Sequence, residues 1–68
     1  MKRLTGKEMC RVLQKNGWSL DHVRGSHHVY TRPGEKPVSV PVHAAKTLKT
    51  GTQRSIMKAA HLTDSDLN

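Results

Sequence analysis

The chain has 68 residues, and its 12 Lys and Arg against 5 Asp and Glu leave a formal charge of +7. That length holds one domain, residues 1–68, with no room for a second. A large enclosed active site is excluded too, because so short a chain buries only about 60% of its unfolded surface. The single cysteine, Cys10, rules out an intramolecular disulfide and fits a reducing cytoplasmic setting. Residues 1–8 carry positive charge with no apolar run behind them. Neither a signal peptide nor a membrane helix, which needs about 20 apolar residues, is therefore expected. Residues 1–32 hold seven basic and two acidic residues, and residues 33–68 hold five and three. Charge spread in this way belongs to a folded surface, not a basic tail. Its partner should be a polyanion, nucleic acid first and an acidic protein second.

The first helix is expected over about 6–16. Thr5 is its N-cap, and Glu8 three residues later completes a capping box. Leu4 and Met9 are placed to form a hydrophobic staple, and Met9, Val12 and Leu13 follow helical spacing. Asn16-Gly17 supplies the stop, with Gly17 suited to the left-handed position after the helix. The period then changes to two. Trp18, Leu20 and His22 alternate with Ser19, Asp21 and Val23, which predicts a strand. Arg24-Gly25-Ser26 is a turn, and His27 to Arg32 form the second strand. Arg32-Pro33-Gly34-Glu35 suits a type II turn, with Pro and Gly at its two centres.

Val38, Val40 and Val42 turn one face of a third strand toward the core, and Pro41 places that strand at an edge or at its own end. Ala44 to Lys49 read as a lysine-rich loop. Thr50 is expected to cap a second helix, with Gln53 completing its capping box and Leu48, Ile56, Met57 and Ala60 on its buried side. Thr63 to Leu67 read as one further capped turn. The order helix, three strands, helix implies an α+β fold. A three-stranded antiparallel sheet would carry both helices on one face, the layout of the double-stranded-RNA-binding fold.

Four segments give a more specific signal. Gly17-Trp18 closes the first helix. Gly25-Ser26-His27-His28-Val29-Tyr30 opens the second strand. Val40-Pro41-Val42-His43 ends the third, and Leu48-Lys49-Thr50-Gly51-Thr52-Gln53-Arg54-Ser55-Ile56 begins the second helix. In this order and spacing, and over most of the chain, they resemble the HicA family of toxins. The resemblance implies an mRNA interferase of a type II toxin–antitoxin system, neutralised in a hetero-oligomer by a HicB-type antitoxin. It also implies that His27, directly after Gly25-Ser26, is the catalytic histidine.

Chemistry makes that role sensible. An unperturbed imidazole titrates near pH 6.5, so it gives and takes protons near neutrality, about 10²–10⁴-fold in rate for a well-placed group. RNA carries its own nucleophile, the 2′-hydroxyl, so no metal or other cofactor is strictly required. Without the resemblance, His27 would be read as a solvated histidine at a strand end. His28 should point to the opposite sheet face, as a flanking or RNA-contacting ring and a secondary catalytic candidate. Whether His28 and Tyr30 face inward, or Val29 does, stays open. His43 is either an exposed loop histidine or a second proton donor or phosphate contact. His22 and His61 are read as structural or surface groups. A zinc site is not expected, since no His-x₃-His or Cys-x₂-Cys spacing occurs.

Lys46, Lys49 and Arg54 flank the start of the second helix, where free N–H groups already attract phosphate. Their bland alternative is a solvated charged face. Arg24 and Arg32 flank the His27 strand and are candidates to stabilise charge on the scissile phosphate. Trp18 and Tyr30, the only aromatic residues, are too few for a base-stacking platform, and Trp18 is read as core. Cys10 is read as a buried, inert thiol. Two rival readings use the same surface: a non-catalytic double-stranded-RNA-binding module, and an adaptor for an acidic protein.

Overall fold

The first capping box forms as the sequence requires. The Thr5 hydroxyl accepts from the Glu8 N–H at 3.1 Å, and the Glu8 carboxylate accepts from the Thr5 N–H at 2.8 Å. These bonds from Thr5 hold the Glu8 carboxyl below its ordinary range. In the computed structural model, which describes residues 1–68, helix α1 accordingly runs over Gly6–Lys15. Gly17 follows at φ +88°, where a side chain would be strained.

Strands β1 (Ser19–Arg24), β2 (His27–Thr31) and β3 (Val38–Pro41) form an antiparallel sheet in the order β1-β2-β3. Helix α2 (Thr50–Ala59) and a 3₁₀ turn (Asp64–Leu67) complete the chain. The expected α-β-β-β-α order is the observed one, with β2 central and β3 at an edge. The Pro33-Gly34 turn closes with the Glu35 N–H donating to the Arg32 carbonyl at 3.0 Å.

The pleat separates the sheet into two faces. Tyr30 pairs with Val38 and His28 with Val40. Tyr30, Val38 and Val40 are buried in one cluster with Met9 and Leu13 of α1, Trp18, and Ile56 and Met57 of α2. This is the helix-covered face, which answers the question left open for Val29: His28 and Tyr30 point inward. His27, Val29, Ser39 and Pro41 occupy the other, open face.

Two sequence expectations need correction. The first concerns β1. Leu20 pairs with Tyr30 but His22 pairs with Val29, so Asp21 is an extra residue, a β-bulge. Leu20 therefore shares the helix side, whereas His22 is turned to the open face. All six residues of β1 are exposed, with Leu20 at 46% and Val23 at 52%. A strand with no buried face has no hydrophobic pattern to fix its register.

The second concerns α2. Its N-cap is Lys49, not Thr50, and no side chain caps it. Gln53, expected in a capping box, is 0% exposed. Its Oε1 accepts from the Leu4 N–H at 2.9 Å, and its Nε2 donates to the Lys2 carbonyl at 2.6 Å. The side chain thus reaches inward to the chain start instead of back to the cap. The Leu48 N–H donating to the Leu4 carbonyl at 2.8 Å, and the Arg3 guanidinium on the Leu48 carbonyl, complete this clasp.

Two changes should test the packing in urea unfolding. A Cβ on Gly6 would stand 2.2 Å from the Pro41 carbonyl oxygen, so Gly6→Ala should cost about 1–3 kcal/mol by overpacking. Gln53→Leu, which leaves the Leu4 N–H and the Lys2 carbonyl without partners, should also cost about 1–3 kcal/mol.

Candidate nucleic-acid interface

His27 begins the central strand, so both its neighbours are fixed by ladder pairing: Arg24 of β1 on one side and Pro41 of β3 on the other. The residue is exposed on the open face. Its Nδ1 stands 3.2 Å from the Ser39 hydroxyl oxygen, which orients the ring, and Nε2 makes no hydrogen bond within the protein. An imidazole held at one nitrogen and open at the other can exchange a proton with a group bound above the sheet.

His28 lies on the opposite face, half-buried, and lines an open cleft of about 820 Å³ beside Lys7, Arg11, Gln14 and Tyr30. The two adjacent histidines therefore cannot act on one phosphate together. Cys10 and Tyr30 also line this cleft, and burial pushes both the thiol and the phenol up from their ordinary values. Neither ionises near neutrality, and the buried Tyr30 ring cannot stack on a base.

The basic side chains divide. Pro41, His43, Lys46, Lys49 and Thr52 line a smaller cleft of about 300 Å³. Pro41 belongs to this cleft and to the Arg24–His27–Pro41 row alike, so the positive surface continues from His27 over the β3 edge to the start of α2. The backbone keeps this loop in place, with the Lys46 N–H donating to the His43 carbonyl at 3.0 Å. Arg54 is exposed on α2 but outside the cleft lining.

Arg32 is engaged elsewhere. Its guanidinium lies 4.6 Å over the Trp18 ring, donates to the Asn16 carbonyl at 2.9 Å and meets Glu35 at 3.2 Å. Glu35 also accepts from His61 Nε2 at 3.1 Å, and these bonds from His61 and Arg32 hold its carboxyl below the ordinary range. His22 stands on the open face with His27, and its Nδ1 is 2.7 Å from the Asp21 carboxylate. Sequence reading missed this position, because nothing in residues 19–24 marks where the bulge falls. No group of three or more His, Cys, Asp or Glu is placed to hold a metal ion, and no helix is long and apolar enough to cross a membrane.

Comparison with known proteins assigns the chain a family. Residues 6–62 match the family described as the HicA toxin of bacterial toxin–antitoxin systems, a segment that runs from the start of α1 to just beyond α2. No curated protein matches the chain.

The Arg32 cluster makes a prediction separate from the basic cleft. Arg32→Ala should destabilise the fold by about 1–2 kcal/mol in urea unfolding, through the lost ring contact and charged hydrogen bonds. Because the folded Glu35 carboxyl is depressed, its contribution is present above the ordinary glutamate range and fades as pH falls through the folded value. Glu35→Gln should therefore flatten the acid limb of the stability profile.

Proposed function

The chain belongs to the HicA toxin family of bacterial toxin–antitoxin systems, and from that membership we propose that it is a metal-independent endoribonuclease acting on mRNA. The observation that carries the reading is the placement of His27. Its ring is exposed on a rigid central strand, oriented by Ser39, and one ladder position from the Pro41 wall of the lysine-lined cleft.

In this reading the RNA backbone crosses the open face and turns over the β3 edge. Lys46 and Lys49, with His43 between them and the sheet, hold phosphates at the start of α2, and Arg54 extends the field. Arg24, the cross-strand neighbour of His27, stabilises charge on the scissile phosphate. Arg32, paired with Glu35 and stacked on Trp18, takes no direct part in this reading. His27 Nε2 takes the proton of a 2′-hydroxyl, and the resulting oxygen attacks the adjacent phosphorus. Scission of mRNA then stops translation in the cytoplasm. His28, facing away, is a flanking group on this geometry.

A HicB-type antitoxin is the proposed partner. An acidic surface on it would meet the same Arg24, Lys46 and Lys49 charges, so covering the site and neutralising it are one act.

The test is incubation of purified protein with RNA in chelator. Wild type should cleave, and His27→Ala should lose about 10²–10⁴-fold in rate while fold and RNA affinity persist. A His27→Ala protein that cleaves at the normal rate would leave the non-catalytic RNA-binding reading in its place. Changing Lys46 and Lys49 together to Ala should weaken binding across sequences and lower the salt slope by about 1.4, at about 0.7 for each lost phosphate contact.

A further inference from the structure

Counting by two from Leu20 would put His22 on the helix side of the sheet. The extra residue Asp21 turns it over. On the open face the rows are then His22–Val29–Ser39 and Arg24–His27–Pro41. His22 and His27 are diagonal neighbours across the β1–β2 ladder, positions separated by roughly 7–8 Å in an antiparallel pair. A phosphodiester lying across the open face between these two positions would have one side chain on each side of it. β-bulges are over-represented beside active sites for this reason, since they re-aim a side chain.

The His22 ring is held. Its Nδ1 lies 2.7 Å from Oδ2 of Asp21, the same residue that makes the bulge. A carboxylate only accepts, so Nδ1 carries hydrogen, and Nε2 is the exchangeable position. Both side chains are about half exposed, at 53% and 55%, so a bound polyanion can reach the ring. The other histidines are placed elsewhere. His28 is on the opposite face, His43 is beyond Pro41 in the lysine cleft, and His61 is bonded to Glu35. The charged or titratable groups of this face are Asp21, His22, Arg24 and His27; β3 adds only Ser39 and Pro41.

We propose that His22, positioned by Asp21, is the second proton-transfer group of the cleavage reaction, the general acid that protonates the leaving 5′-oxygen. The inference rests on the reading of His27 as the base. The O2′–H bond breaks and its proton passes to His27 Nε2. The O2′–P bond forms, the P–O5′ bond breaks with its electron pair on O5′, and O5′ takes the proton from His22 Nε2. The products are a 2′,3′-cyclic phosphate and a 5′-hydroxyl. Proton exchange with solvent restores both rings, and no redox partner is involved.

The experiment compares a single-stranded RNA oligonucleotide with the same oligonucleotide carrying a 5′-bridging sulfur at the scissile bond, whose thiolate leaves without a proton. His22→Ala should lower kcat on ordinary RNA by about 10²–10⁴-fold with little change in KM. On the sulfur substrate most of that loss should vanish, whereas His27→Ala should stay impaired on both. His22→Ala should also lose the alkaline limb of the pH–rate profile, and Asp21→Asn should give an intermediate loss. Wild-type cleavage of ordinary RNA by His22→Ala, or an equal loss on both substrates, would overturn the assignment of His22. Either result beside an inactive His27→Ala would leave the His27 reading standing. An active His27→Ala would remove both.

Discussion

Tyr30, Val38 and Val40 leave water through one face of the sheet, and the pleat then obliges His27 to face the other way. Each such burial is worth about 1.5–3 kcal/mol, so a one-residue slip of β2 would forfeit most of the core it contributes. The candidate catalytic ring is therefore positioned by its neighbours' hydrophobicity, not by anything it binds itself. Because β2 is central, ladder hydrogen bonds fix it on both sides. Only the 3.2 Å contact to Ser39 is left to set the ring angle. A site on such a strand keeps its geometry better than one on a loop.

The basic loop between β3 and α2 has no such ladder, and a different device holds it. Gln53 binds the backbone at Lys2 and Leu4, and Leu4 in turn pairs with Leu48. Gly6 lets α1 start directly against the Pro41 carbonyl. The chain start, the end of β3 and the start of α2 are thereby drawn to one point. That point is the corner where Lys46 and Lys49 meet the His27 row. The core that stabilises the domain and the clasp that gathers its charges share residues, Leu4 and Leu48 among them.

What the sequence made legible follows from where its signals are local. The Thr5–Glu8 box, the Gly17 stop, the Pro33-Gly34 turn and the valine strand each declare themselves within a few residues. The structure has all of them. The family resemblance likewise rested on short segments in order. The face of His28 and Tyr30 was not legible, because two-residue alternation gives relative and not absolute orientation until a core is known. Gln53 was misread because three-residue spacing from Thr50 is the same whether the side chain turns back to a cap or inward across 49 residues to Leu4. Arg32 looks like any other cation in a sequence, and its engagement with Trp18, Asn16 and Glu35 is a tertiary fact. The bulge was hidden for the reason that lets it exist: an edge strand with no buried face can take an extra residue without exposing a core side chain.

The distribution of acidic residues bears on the same bulge. Glu8 and Asp66 are engaged in capping boxes, and Glu35 is engaged with Arg32 and His61. Asp21 is placed instead beside the open face, where a phosphate backbone would cross next to Arg24 and His27. A free carboxylate there would repel the polyanion that the rest of the surface attracts. Bonded to His22, it offers its charge to an imidazole instead of to the phosphate. An acidic residue in so unfavourable a position, bulged out of a regular ladder and joined to a ring on the reactive face, makes physical sense when the ring it holds has a proton to deliver.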